Sequence, residues 1–212
     1  MLWLLARLLR AGHARQRARA GYFDAVAGLF QSTGVQVQPS GFARMSGVWN
    51  GARFDLQAVP DTLTFRKLPV LWVMVTLTEP TDLTTEAHIM ARPGGNDVFS
   101  TFDRMPVSVA LPDGFPAFCA LRCENAAALP RGTLIAAQAP LFLSAEVKEL
   151  VMSPRGLRLV VLAEQADRGA YLLFRDAEMG YAPFPPGRLL PLLQALVSLR
   201  DGLSEPRERA VG

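Results

Sequence analysis

The chain has 212 residues, of which 50% are hydrophobic and 19% charged, so it is long enough for one sizeable core or two small ones. Its two cysteines are too few for the disulfide framework of a small secreted domain, and a reducing compartment is expected. The net charge of +3 is uneven, because residues 1–53 hold seven arginines and one acidic residue while the remainder has an acidic excess. A uniformly basic surface for nucleic acid is therefore excluded.

The first twenty residues, MLWLLARLLRAGHARQRARA, join a leucine-rich stretch to an arginine-rich one. A secretory signal places its positive region before the apolar run, and here the order is reversed, which argues against export. The apolar run is also shorter than the roughly 20 residues that span a bilayer. On a helical wheel the leucines share one broad arc and Arg7 and Arg10 share the other, which predicts an amphipathic helix.

We expect residues 1–19 to form a basic amphipathic extension of a domain that covers residues 20–203. The leucines of such a helix can enter a membrane interface while each arginine near anionic head groups contributes on the order of 1 kcal/mol. Packing on the domain itself, a protein partner and a homo-oligomer stay open as alternatives. The residues predicted to bind a membrane or a partner are Leu2, Trp3, Leu5, Arg7, Leu9, Arg10, Arg15, Arg17 and Arg19.

A second apolar stripe follows the extension and predicts a helix over residues 21–32 that docks onto the domain. Beyond residue 34, short apolar runs bounded by Gly, Pro, Asn and Asp predict strands. Asn50 and Gly51 predict the two-residue turn of a hairpin, because both residues tolerate a positive φ. Residues 69–78 are apolar on both faces, which predicts a central strand, and residues 85–91 predict another.

The segment 92–116 is rich in Pro, Gly and Asp and predicts connections, with a possible boundary inside the domain. A strand is expected over residues 117–124, followed by helical turns over 131–145 that are interrupted at Pro140. The runs VKELVM, LRLVVLAE and AYLLF then predict a three-stranded antiparallel meander, whose mixed charges indicate a solvated surface.

An apolar helix is expected over residues 188–201, with Pro191 in its first turn and Gly202 directly after its end. Residues 204–212 are expected to be a disordered tail. Runs of strands with helices at the ends are typical of an α+β fold. We therefore predict a mainly antiparallel sheet with an N-terminal amphipathic helix and a C-terminal apolar helix.

Few residues of the chain suggest chemistry. On one face of a strand, Cys119 and Cys123 would lie about 13 Å apart, so they are expected to be buried free thiols. His88 alternates with apolar residues, as in an ordinary strand with one polar face, and no nucleophile motif surrounds it. Phosphate-loop and dinucleotide motifs are missing from the sequence, so no catalytic residue, metal ligand or cofactor is predicted.

These patterns favour a non-catalytic module of the bacterial cytoplasm, peripheral to the inner membrane. It would bind an anionic membrane surface or a membrane-bound protein partner through its N-terminal helix. The alternative is an enzyme or a small-ligand-binding protein whose pocket lies between the sheet and the helices. A concave pocket that contains several titratable groups with perturbed pKa values would favour this alternative. Nucleic-acid binding is the least favoured, because the arginine-rich segment lacks aromatic residues that stack on bases.

Overall fold

The computed structural model describes residues 2–62, 68–94, 97–166 and 179–204. Within the first helix, the side chains of residues 2, 4–9 and 11 lie outside this description. The predicted strand AYLLF and the predicted tail, apart from Ser204, also fall outside the described residues.

The chain has an α+β fold with an antiparallel nine-stranded sheet, as the sequence predicts. The α-helices of the described residues are α1 (Leu2–Ala20), α2 (Asp24–Ala27), α3 (Gly132–Ala136) and α4 (Pro186–Ser204). The strands are β1 (Gln31–Val37), β2 (Ala43–Trp49), β3 (Ala52–Asp61), β4 (Val70–Leu77), β5 (Ala87–Ala91), β6 (Val107–Val109), β7 (Cys119–Cys123), β8 (Val147–Ser153) and β9 (Gly156–Gln165). Their order in the sheet is β1-β2-β3-β4-β9-β8-β5-β7-β6.

The contacts within the chain define two compact units. The first unit contains residues 1–75 and 160–191, and the second contains residues 76–159 and 192–212. The Pro- and Gly-rich segment 92–116, a candidate boundary in the sequence, lies inside the second unit.

An aromatic cluster forms part of the core of the first unit. The Tyr22 ring lies 5.5 Å from the Phe23 ring, 5.6 Å from Phe42 and 6.2 Å from Phe184, between centroids. All four side chains are buried, and the Phe184 backbone N–H donates to the Tyr22 carbonyl at 2.8 Å. The apolar stripe that begins at Tyr22 does dock onto the body of the unit.

The helix predicted over residues 21–32 is wrong in extent, because α2 has only four residues and β1 begins at Gln31. The end of the segment, from Gln31, belongs to β1 and pairs with β2 instead, with Gln31 opposite Val48. Phe30 packs so closely over Gly47 that a Cβ at that glycine would lie 2.8 Å from the Phe30 Cβ. Strand pairing and this contact therefore override the helical pattern of the segment.

The hairpin and the central strand of the first half are confirmed. Asn50 and Gly51 have φ values of 47° and 77° and join β2 to β3, with Trp49 opposite Ala52. Strand β4 is the fourth of nine, and its residues alternate between buried and half-buried, so neither face is fully open to solvent.

In the second unit, β5 lies between β7 and β8, and all five of its residues are buried. Strand β7 contains Cys119 and Cys123, as predicted, and both are free thiols. Cys123 is buried, but Cys119 is only half-buried. The predicted turns over 131–145 are α3 and a 3₁₀ turn at Ala139–Leu143, and β8 and β9 form the predicted hairpin.

The C-terminal helix differs from the prediction at both of its marker residues. Helix α4 begins at Pro186, so Pro191 lies in its second turn, and it continues to Ser204, so Gly202 lies inside it. A Cβ at Gly202 would lie 2.7 Å from the Leu134 Cδ1 atom. Gly202 therefore lies inside the helix, where the Leu134 side chain packs against it, and does not mark the helix end.

The β8–β9 hairpin depends on the backbone conformation of Gly156. Its φ is 149°, and an added Cβ would overlap the carbonyl oxygen of Leu77. We expect Gly156→Ala to lower the free energy of unfolding by roughly 2–4 kcal/mol, measured by urea denaturation. The matched control is Gly132→Ala in α3, where an added Cβ meets nothing within 4 Å and the change should stay within about 1 kcal/mol. Equal effects of the two substitutions would contradict this role for Gly156.

Candidate functional site

Two of the arginines predicted to bind a membrane contact the first unit instead of extending beyond it. Arg15 Nε donates to the Tyr181 hydroxyl at 3.0 Å, and its guanidinium lies 5.9 Å from the centre of that ring. The Arg19 guanidinium lies 5.0 Å from the centre of the Phe42 ring. These contacts hold the last turns of α1 against the unit.

Other predicted residues of α1 are exposed. The Trp3 side chain is 66% exposed, and Arg10 and Arg17 are also exposed. The side chains of Leu2, Leu5, Arg7 and Leu9 lie outside the described residues. Of the helices that the structure describes, none has the length and apolar character needed to cross a bilayer.

A second candidate site, which the sequence reasoning passed over, surrounds His88 on β5. The imidazole Nδ1 lies 2.8 Å from Glu149 Oε1, and Nε2 lies 2.8 Å from Glu86 Oε1. His88 is 2% exposed and Glu149 is 1% exposed. A histidine is thus enclosed between two carboxylates in the interior of the second unit.

The strand register explains why these side chains meet. Met90 of β5 is opposite Glu149 of β8, so His88, two residues before Met90, is the diagonal neighbour of Glu149 on the same face. Glu86 lies two residues before His88 and shares that face because side chains alternate along a strand.

The segment between β5 and β6 supplies two hydroxyl groups to the same carboxylates. Ser100 Oγ donates to Glu149 Oε1, and Thr101 Oγ1 donates to Glu86 Oε1 at 3.5 Å. The backbone N–H of Glu86 also donates to Glu124 Oε2 at 3.0 Å. Glu86 is therefore fixed through its backbone and through one carboxylate oxygen.

The protonation of His88 follows from these contacts. Burial lowers the pKa of His88, but the hydrogen bonds and charges of Glu149 and Glu86 together outweigh it, and the pKa lies above its ordinary value. An ionised carboxylate only accepts, and only the imidazolium can donate from both ring nitrogens. These contacts favour the charged form of His88, in which neither ring nitrogen has a lone pair to accept a proton.

A cavity of about 450 Å³ opens beside this cluster, within the size range of small-molecule pockets. Its charged lining residues are Glu86, His88, Arg155 and Arg158, and its hydroxyl-bearing ones are Thr76, Thr78, Thr101 and Ser153. Phe99, Val151 and Leu157 add apolar surface. The cavity therefore combines apolar walls with several polar groups, as ligand sites do.

The two arginines of the cavity differ in their surroundings. Arg155 is 90% exposed, and its Nη2 lies 4.0 Å from Glu86 Oε2, a weak pair of the kind that water screens. Arg158 is half-buried, and its Nε donates to Thr76 Oγ1 at 3.1 Å. Only Arg158 is thus held by a neighbouring strand.

The sequence expectations for this region were wrong about exposure. The charges of the meander were expected to form a solvated surface, but Glu149 is buried, and so is His88 on the polar face of β5. Their pairing joins residues 61 positions apart, so no local pattern indicates it. The one available signal was the spacing of Glu86 and His88 on one strand face. No set of three His, Cys, Asp or Glu side chains in the described part of the chain is arranged to hold a metal ion.

Protonation of His88 should couple its cluster to stability. Because the pKa is higher in the folded chain than the unfolded value of about 6.5, the contribution is fully present below about pH 6.5 and is lost as the pH rises through the folded pKa. We expect the free energy of unfolding of the wild type to fall more between pH 6 and 9 than that of His88→Gln/Glu149→Gln, measured by urea denaturation. His13→Gln, at an exposed position, is the control and should follow the wild type. Parallel profiles for the wild type and the double variant would show that His88 does not titrate this way.

Comparison of the chain with protein-family models, with curated proteins and with solved structures found no match.

Proposed function

We propose that the cavity beside His88 binds a small molecule. The observation that carries this proposal is that both nitrogens of the buried His88 are engaged by carboxylates, one of which, Glu86, also lines the cavity. His88 acts as a positioning residue that orients Glu86. Binding, and not proton transfer by His88, is the activity that this arrangement supports, because a general base needs a free ring nitrogen.

The burial of these charges supports a binding role. Moving charged groups out of water is costly, and replacing a buried ion pair with apolar residues is often neutral or stabilising. The cluster of His88 and Glu149 is therefore not needed to fill the core. A cluster that fixes the groups lining a cavity lowers the entropy lost when a ligand binds.

We propose as a second function that α1 attaches the protein to an anionic membrane surface, or to a membrane-bound partner, at the inner face of a bacterial cytoplasmic membrane. The observation in its favour is the exposure of Trp3 at the start of a helix whose last turns contact the body through Arg15 and Arg19. Tryptophan is enriched at membrane interfaces, and arginines near head groups add electrostatic attraction.

The binding proposal is tested by screening the full-length protein against several hundred small fragments with thermal-shift and NMR measurements. Val151→Phe places a larger side chain in the cavity, whereas Val98→Phe adds the same bulk at an exposed position outside it. We expect hits to bind the wild type and Val98→Phe alike, and to bind Val151→Phe at least tenfold more weakly. No hit at all, or hits that bind Val151→Phe unchanged, would refute binding in this cavity.

The membrane proposal is tested by flotation of the full-length protein on anionic and on neutral vesicles. Flotation is expected with anionic vesicles only, and should weaken as salt rises. Trp3→Ser/Arg10→Glu should reduce the floating fraction at least fivefold, while Arg104→Glu, an exposed charge reversal in the second unit, should leave it unchanged. If the wild type stays with the unbound fraction, or the double variant floats as well as the control, α1 is not a membrane anchor.

A further inference from the structure

We propose that the ligand of the His88 cavity is a small organic anion, a carboxylate or a phosphate, whose charged group binds Arg158. This assignment rests on the proposed binding function of the same cavity. It follows from the balance of charge around the cavity and from the hydrogen bonds that hold Arg158.

The other charges near the cavity have partners of opposite sign. His88 is enclosed between Glu149 and Glu86, and Arg155 faces the second oxygen of Glu86. Arg158 differs, because no carboxylate of the described residues lies within ion-pair distance of its guanidinium. Arg158 is therefore the positive charge at the cavity that no described carboxylate balances.

The local structure prepares the Arg158 guanidinium for an anion. Its Nε donates to Thr76 Oγ1, which fixes the plane of the group, and the Nη groups bond no described residue. A guanidinium held in this way presents paired N–H donors, the geometry that matches the two oxygens of a carboxylate or phosphate. A half-buried charge without a partner is unfavourable, and an anionic ligand removes that penalty.

The rest of the cavity indicates an organic anion and not a free inorganic ion. Thr76 and Thr78 place hydroxyl groups at the cavity, and the Thr76 hydroxyl, which accepts from Arg158, keeps its proton to donate to an oxyanion. Phe99, Val151 and Leu157 provide apolar walls, and about 450 Å³ is far more than one small ion occupies. The expected ligand thus has an anionic group at Arg158 and an apolar body along these walls.

The experiment is isothermal titration of the full-length protein with acetate, hexanoate, benzoate, methyl phosphate and phenyl phosphate. Benzyl alcohol and benzylammonium serve as uncharged and oppositely charged analogues. We expect at least one of the larger anions to bind, with the two analogues at least tenfold weaker. Preference for the carboxylates or for the phosphates then distinguishes the two sources of the charge.

Two substitutions separate Arg158 from its neighbour. Arg158→Gln should weaken binding of the best anion at least tenfold, while Arg155→Gln, at the 90% exposed arginine, should change it less than threefold. Arg158→Lys retains the positive charge but not the paired N–H donors, so its loss of affinity for the anion should lie between those of the wild type and Arg158→Gln. Arg158→Lys is also expected to keep the fold of the chain.

The outcomes distinguish this inference from the binding proposal. The assignment of an anion is overturned if the uncharged analogue binds as well as the anions, or if Arg158→Gln has no effect. It is also overturned if no anion binds while the fragment screen yields neutral or cationic ligands. In each of these cases the proposal that the cavity binds a small molecule still stands. If neither the anions nor any fragment binds, both proposals fail together.

Discussion

The antiparallel register of β5 with β8 is the constraint on which the candidate site depends. It makes His88 and Glu149 diagonal neighbours although 61 residues separate them. A slip of one residue would move Glu149 to the opposite face of the sheet and leave two ionisable groups buried without each other. The register is held from the other side as well, because β5 also pairs with β7, with His88 opposite Arg122.

This constraint links the stability of the second unit to the proposed binding site. Removing one member of a buried ion pair typically costs 3–5 kcal/mol, because the other charge stays behind without compensation. The loss of His88 would therefore disturb the fold and the position of Glu86 together. The cavity arginines are different, since Arg155 is exposed and Arg158 is only half-buried. Ligand binding can for this reason be examined at Arg158 with less effect on folding than at His88.

Local chemistry accounts for the parts of the fold that the sequence predicts well. Asn50 and Gly51 determine their hairpin through their own φ angles, and alternation along each strand is visible without knowledge of its partner. The errors occur where a distant residue decides the structure. Gly202 lies inside the helix with Leu134 packed on it, and Phe30 leaves the helical pattern because Gly47 receives its ring. The pairing of His88 belongs to the same class, which is why the candidate cavity could not be found from local patterns.

The contacts of α1 alter what a basic N-terminal helix can contribute at a membrane. Of its five arginines, Arg15 and Arg19 contact Tyr181 and Phe42, so their guanidiniums are already engaged on the body of the first unit. Three arginines remain, and at about 1 kcal/mol each they supply roughly 3 kcal/mol of electrostatic attraction to an anionic surface. Attraction of that size gives weak, reversible attachment and needs the apolar contribution of a residue such as Trp3. A membrane role for this protein therefore depends on the first ten residues of α1 more than on the arginine-rich stretch that follows them.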